Sequence, residues 1–398
     1  MKFTRAKILM LAICLLTIYF FSNDFGQIDV EKASIVTAVA IDKADIGYEV
    51  SLQVAVPEQN ATSANKKTVV TGTGQTVAKA IGEVSSKTGW YQKLAFCNVV
   101  LIGEELTSKN VMDFLDYFSR SLKIQSSALL AVTKGKASEV LKKATPLDNF
   151  SGFALQKIIL QSKGMTACVY STDIKNFSIG YYSRSKSGHM PYITTITNDT
   201  STAVASQDAN SKSNTEEDKP VLFSAEQTML FFDGKNSGML SPEETRLAFY
   251  IKKNRTDTEL PINGVVINGE TIDFMLSILK SKSNVKVNVK DGKPVLKIEQ
   301  TYYVKIADET SNKKDLSLKP TIILPKELID QTENKLKETL FTLVETCKKT
   351  KTDILKIDEQ IYRHNHKYYD DLKDDIFKDL TAEIKVTVHG QKGVKEKH

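Results

Sequence analysis

The sequence predicts a mixed α/β (α+β) protein of two to three globular domains behind an N-terminal signal or membrane anchor. Three observations carry this. The chain has 398 residues, 41% hydrophobic and 26% charged, which is long enough for two or three separate cores. Apolar stretches of strand period alternate with stretches of helical period along most of its length. One long apolar run, Ile8–Phe21, follows the basic residues Lys2, Arg5 and Lys7. Ordinary globular composition excludes a fibrous, collagen-like or mainly disordered chain. A lone apolar run excludes a polytopic membrane protein. The 54 basic and 48 acidic residues leave a net charge of +6, too dilute to point to nucleic acid.

Residues 1–24 are the signal or anchor segment. A basic flank before an apolar run has the form of a Sec-type export signal. A helix over residues 8–21 spans about 21 Å, short of a ~30 Å hydrocarbon core unless Lys7, Thr4 and Ser22 extend it. Leu11-Ala12-Ile13-Cys14 has the outline of a lipobox, yet Ile13 is bulky where a small residue belongs and apolar residues continue to Phe21. An uncleaved anchor is preferred; lipidation at Cys14 and ordinary cleavage stay open. The basic flank puts residues 24–398 outside the cytoplasm. Cys97, Cys168 and Cys347 form no CxxC pair and read as buried thiols.

An N-terminal α/β domain is expected over 26–200. Ile35–Ile41 reads as a central strand buried on both faces. Tyr48, Val50, Leu52, Val54 and Val56 alternate with polar residues, a strand with one wet face. After a polar loop at 58–67 and a strand at 68–71, Gly72-Thr73-Gly74 is read as opening a helix that carries Val77, Ile81 and Val84. Strand 98–102, a helix with Phe114, Leu115 and Phe118, strand 127–132 and helix 137–144 follow. Residues 149–182 look helical at first, and a small subdomain from 149 is left open. The polar stretch 201–219 is a linker without aromatic residues. Cleavage there is expected to leave resistant pieces near 26–200 and 220–393.

A C-terminal α+β domain is expected over 220–393. Strand 228–232, the turn Asp233-Gly234 and extended Met239-Leu240 lead into Ser241-Pro242-Glu243-Glu244, a helix start with a capping box. Val285, Val287 and Val289 alternate, as do Leu296, Ile298, Tyr302, Val304 and Ile306. Pro325 precedes a long helix with Leu328, Leu336, Leu340, Leu343, Val344 and Cys347 on one face. Helical patterns run through Ile354, Ile357 and Ile361, then through Tyr369, Leu372, Ile376 and Leu380. Ile384, Val386 and Val388 form a last strand before a charged tail at 394–398.

The chemistry on offer is slight. HExxH, GxSxG and GxxxxGK[ST] are all missing from the sequence. Gly72-Thr73-Gly74 lacks the third glycine of a phosphate loop and reads as a glycine turn. His364-x-His366 sits between cations and reads as no metal site; His189 and His389 are isolated. Asp370, Asp371, Asp374 and Asp375 read as a solvated helix face, and Trp90-Tyr91 as packing at a helix end. No catalytic, cofactor-binding or metal-binding residue is assigned, and no cofactor is expected.

Several segments in order resemble the Ger(x)C family, the C subunits of bacterial spore nutrient germinant receptors. They are Ile35-Val36-Thr37-Ala38-Val39-Ala40-Ile41-Asp42, then Asn98 to Leu106 with Arg120 and Ala131 to Ala137. The most specific is Met229 to Lys235 followed by Gly238 to Arg246. Asp353-Ile354-Leu355 and Glu383 to Val388 with Gly390 complete the set. The resemblance covers roughly 28–393. It implies several mixed α/β domains, no enzymatic activity, and assembly with multi-spanning A and B subunits at the outer face of the spore inner membrane. It also implies a lipoprotein, but no cysteine lies in Asn23-Asp24-Phe25-Gly26, just before Gln27-Ile28-Asp29, where the family's lipobox would place it. The family supplies no catalytic residues to carry over. The alternative from another class is an extracytoplasmic solute-binding protein feeding a transporter, with a ligand cleft between two lobes. A third is an exported hydrolase whose site is assembled from distant residues.

Overall fold

The computed structural model describes residues 2–22, 33–56, 66–160, 168–196, 221–252, 258–267, 269–310 and 324–390. The expected linker at 201–219, most of the polar loop at 58–67 and the charged tail lie outside the described residues.

The N-terminal run forms helix α1 (Lys2–Ser22), with the side chains from Ile8 to Phe20 exposed. Among the described residues no helix is long and apolar enough to cross a membrane. The first sheet takes strands β1 (Ala33–Lys43), β2 (Tyr48–Val56), β3 (Lys66–Gly74), β4 (Tyr91–Lys93), β5 (Val99–Gly103), β6 (Leu129–Thr133), β7 (Thr172–Asp173), β8 (Ser187–Ile196), β9 (Leu222–Phe232) and β10 (Lys235–Leu240). Their order is β10-β9-β8-β6-β5-β1-β2-β3, with β4 beside β1 and β7 beside β6. The centre (β1, β5, β6, β8) is parallel, and both flanks are antiparallel. Parallel strands need crossovers that cover both faces, so their sequences run apolar without alternation. Helices α2 (Val77–Thr88) and α3 (Met112–Arg120) cover one face; α4 (Ala137–Lys142) and α5 (Ser151–Leu160) cover the other; α6 (Ile174–Tyr182) joins α3. Residues 149–182 thus give one helix to each face of this sheet and form no subdomain of their own.

Two expectations change here. The wet face of β2 is dry: Ser51 and Gln53 are fully buried. The Gln53 amide oxygen accepts from Thr37 Oγ1 (3.1 Å) and from the Gly152 amide (3.0 Å), and its Nε2 donates to the Leu141 carbonyl and Ser151 Oγ. The Gln53 amide thus has a partner for its oxygen and for its nitrogen, so its burial is tolerated. Gly72-Thr73-Gly74 does not open the helix but ends β3, and Thr76 caps α2. A Cβ at Gly72 would stand 2.3 Å from the Ala80 carbonyl oxygen, so the glycines let strand and helix touch.

Helix α7 (Pro242–Lys252) leads to the second sheet: β11 (Thr258–Ile267), β12 (Glu270–Lys290), β13 (Lys293–Glu309) and β14 (Thr381–Gly390), in that order. Strand β11 was not legible, because Pro261 and Asn263-Gly264 break its pattern. Helix α8 (Lys326–Thr350) packs its apolar stripe on β11 and β14, and α9 (Ile357–His364) lies on β12. The helix expected through Tyr369–Leu380 stops after one turn as α10 (Tyr369–Leu372). Turns follow it, ending at Asp379 with φ 56°, and they still bury Ile376, Phe377 and Leu380.

The two sheets share a seam. Strands β9 and β10, which follow the expected linker, extend the first sheet, β9 pairing with β8 and β10 with β9. Cys168 and Tyr170 lie in the core of the second.

Candidate functional site: the cleft between the two sheets

Two constructions hold the framework around the cleft, one at the seam and one within the first sheet. The first is the segment Met229–Arg246. Asp233 (φ 50°) and Gly234 (φ 75°) form a two-residue hairpin turn of the type in which both residues need positive φ. A Cβ at Gly234 would stand 2.0 Å from Asn110 Oδ1, and the Gly234 carbonyl accepts from the Val111 amide. At the other end the capping box is complete. Ser241 Oγ accepts from the Glu244 amide (3.2 Å), and Glu244 Oε2 accepts from the Ser241 amide (2.8 Å). Glu244 Oε1 also accepts from Thr346 Oγ1 on α8, at 2.6 Å.

The second construction is Asp42 at the end of β1. Its buried carboxylate accepts from the amides of Ala137 (2.7 Å) and Ser138 (2.8 Å), the first residues of α4. An anionic acceptor at a helix start satisfies donors that have no intrahelical partner. Gly103 leaves room for it: a Cβ there would stand 2.2 Å from Asp42 Oδ1.

Between the halves lies a cleft of about 1210 Å³, walled by α6 and the start of β8 on one side and by α9 and β12 on the other. Its polar wall has three parts. Arg184 lies with its guanidinium 3.6 Å from the Tyr362 ring centroid and 5.8 Å from that of Tyr369. Tyr369 donates to Asp358 Oδ1 at 3.1 Å; burial raises both groups, the phenol to about 12. Asp353 is buried, and its oxygens accept from the amides of Ile357 (2.8 Å) and Asp358 (2.9 Å), capping α9. Its own amide donates to Ser187 Oγ on β8, a direct tie across the seam. Burial pushes the Asp353 carboxyl up to about 6, and the two amide bonds pull the other way.

The third part is His189, stacked on Tyr170 at 3.9 Å between ring centroids. One ring nitrogen bonds the Ser171 backbone; the buried Nε2 has no hydrogen-bond partner. Burial, then the charge of Lys252, holds this imidazole well below its ordinary range, so it is neutral. Ser187 Oγ donates to the Ser185 carbonyl and accepts from Asp353, so it is not presented to a base. The thiols of Cys97, Cys168 and Cys347 are buried, and burial raises those of Cys97 and Cys347, the opposite of an activated nucleophile.

Residues singled out from the sequence scatter. His366 packs edge-on against Tyr362 at 4.9 Å, while His364 is exposed at the end of α9. His389 lies against Tyr303 on the far face of the second sheet. Asp370 pairs with Lys373 in solvent. Trp90 is half exposed beside the edge of β3. Among the described residues no group of three or more His, Cys, Asp or Glu could hold a metal ion. Sequence reasoning missed Arg184, Asp358 and the capping role of Asp353. Only the last left a signal, an Asp placed four residues before an apolar helical start.

Residues 26–195 match the family described as the spore germination protein N-terminal domain, and residues 226–391 match spore germination B3/GerAC-like, C-terminal. The chain belongs to the Ger(x)C family. It is 21% identical over 404 residues to spore germination protein KC of Bacillus subtilis (strain 168), covering 97% of this chain and 94% of that protein. The crystal structure of the GerBC protein superposes with a TM-score of 0.50 at 20% identity, over 92% of this chain and 99% of that one. At this identity the likeness is one of fold: mixed α/β in several domains. The two family segments are separated by residues 196–225, and the β8–β9 ladder pairs the end of one with the start of the other. In this Ger(x)C chain the Met229–Arg246 segment is a structural clasp.

Proposed function

We propose that this chain is a membrane-attached, non-enzymatic C subunit of a spore germinant receptor, working with multi-spanning A and B subunits to trigger germination in response to nutrients. Its place is the extracytoplasmic face of the spore inner membrane. The observation that carries this reading is the family match of both halves, in order, over nearly the whole chain after α1. Two others support it. The apolar side chains of α1 are exposed, as a membrane attachment requires. The cleft carboxylates are committed, Asp353 to backbone amides and Asp358 to Tyr369, which suits a joint between domains more than a reaction centre.

The test is recovery of the native chain from detergent-solubilised spore membranes. Multi-spanning partners are expected to co-purify. The cleft between the sheets keeps a second reading open, a solute-binding protein, and co-purification of a transporter instead would establish it. Recovery of the chain alone would count against both.

A further inference from the structure

The second sheet has one covered face and one open face, and the open face is sorted by charge. The helices α8 and α9 cover the side that carries Val287, Leu296, Ile298, Tyr302, Ile384 and Val386. The register places the opposite side chains in six rows. They are Lys280–Tyr303–His389, Lys282–Thr301–Thr387, Asn284–Glu299–Lys385, Lys286–Lys297–Glu383, Asn288–Val295–Thr381 and Lys290–Lys293. These rows hold seven lysines against two glutamates, in a chain whose total excess is +6. All seven are exposed except Lys297, which is half-buried. Beyond the rows the excess ends, with Lys305 opposite Ser277, Glu259 on the neighbouring strand and Asp308 opposite Met275.

This arrangement is not the one that folding alone favours. Two cross-strand pairs, Lys286–Lys297 and Lys290–Lys293, set like charges opposite each other, which costs stability in an isolated sheet. The ion pairs that both glutamates make, Lys290 to Glu383 (3.0 Å) and Lys297 to Glu299 (2.8 Å), leave the face strongly positive. An anionic surface relieves that repulsion.

We propose that this face of the β12–β13–β14 sheet lies on anionic lipid headgroups. The proposal rests on the membrane attachment proposed above. The face is about 34 Å long, by strand rise, and about 10 Å wide. No large apolar side chain is exposed among its rows, so it carries no anchor of the kind that dominates protein interfaces. It holds no arginine, and Tyr303 is packed against His389 at 5.1 Å, so it offers no stacking platform for nucleic acid bases. Point charges spread over a sheet face match a plane of phosphates, where each lysine strengthens adsorption about fivefold.

The test uses the full chain and two vesicle preparations, phosphatidylcholine alone and phosphatidylcholine with one third phosphatidylglycerol. The preference for the anionic vesicles is the readout. Replacing Lys280, Lys282 and Lys286 together by glutamine is expected to lower that preference roughly a hundredfold. The same three-charge loss at exposed Lys109, Lys136 and Lys175 is expected to lower it far less. A dye on Asn284→Cys, in a Cys14→Ser background whose other cysteines are buried, is expected to become shielded from aqueous quencher only on anionic vesicles. Equal preference in the wild type and the sheet triple variant, or an unshielded dye, overturns the proposal; capture of an acidic protein by a chain indifferent to lipid charge does so too. Failure to bind phosphatidylcholine alone is a separate result. It refutes attachment through residues 8–21 and leaves the charge preference to judge the sheet face.

Discussion

Replacing Ser241 by alanine removes one reciprocal half of the capping box and leaves the Glu244 amide without its acceptor. Loss of such a cap costs about 0.5–2 kcal/mol. For a domain of this size roughly 2–4 °C of Tm accompanies each kcal/mol, so Tm falls by about 1–8 °C. Glu244→Ala goes further, since it orphans the Ser241 amide and Thr346 Oγ1 at a residue only 6% exposed. Two bonds to a charged acceptor are worth about 1.5–3 kcal/mol each, so its Tm falls further than that of Ser241→Ala. The double variant is expected to melt close to Glu244→Ala alone, because the two residues act as one unit. The assay is thermal melting of the full chain, beside germination of spores carrying each variant. A fragment over 220–393 does not serve, because it would strip β8 from β9 and expose a strand edge. Germination retained at low temperature and lost at high temperature fits a cap. An unchanged Tm with germination abolished at every temperature would falsify the structural reading and make Ser241 a partner contact.

Other outcomes are equally direct. Asp42→Ala leaves two buried helix-start amides without acceptors and should destabilise the chain by about 2–5 kcal/mol, read as loss of soluble yield or of Tm, whereas Asp42→Asn keeps one acceptor and should lose less. The Asp353 carboxyl, raised to about 6, holds its proton at higher pH in the folded chain than in the unfolded one. Its contribution to stability therefore grows as pH falls from about 6 towards 4 and is lost as pH rises; relative to Asp353→Asn the wild type should gain on the order of 2 kcal/mol across that window. A relative loss instead would show that its two amide bonds outweigh burial. Limited proteolysis should cut first within 201–219, and the two pieces should co-elute until denatured because β8 and β9 remain paired; first cuts within 285–345 or immediate separation would contradict this. Intact mass of the native protein should show no diacylglyceryl group on Cys14, and a lipid mass on a chain beginning there would refute the uncleaved anchor.

Much of this architecture was legible because local rules acted alone. Apolar runs such as Val36–Ile41 and Val99–Ile102 mark strands buried on both faces wherever they pair. The period-3.6 stripe from Leu328 to Cys347 defines α8, and Ser241 with Glu244 announces its own capping box. The colinear segments were enough to point to the Ger(x)C family. Misreadings arose where a distant element decided the outcome. Gln53 looked solvated because its four hydrogen-bond partners come from Thr37, Leu141, Ser151 and Gly152. Gly72 looked like a turn because the helix it touches is formed by the residues after it. Strand β11 was hidden by Pro261, which an edge strand tolerates.

The sequence by itself determined most of the element types, the mixed α/β class, the capped helix start and the family, because each depends on neighbours a few residues away. Tertiary structure alone decided that β9 and β10 close the first sheet across the expected linker, and that Asp353 ties α9 to β8 through Ser187. It also decided that seven lysines, diluted along the chain between 280 and 385, share one face. Net charge is a sum that ignores position; a sheet ladder brings residues 86 apart in sequence, such as Glu299 and Lys385, within about 5 Å, and only that geometry turns a faint excess into a charged surface.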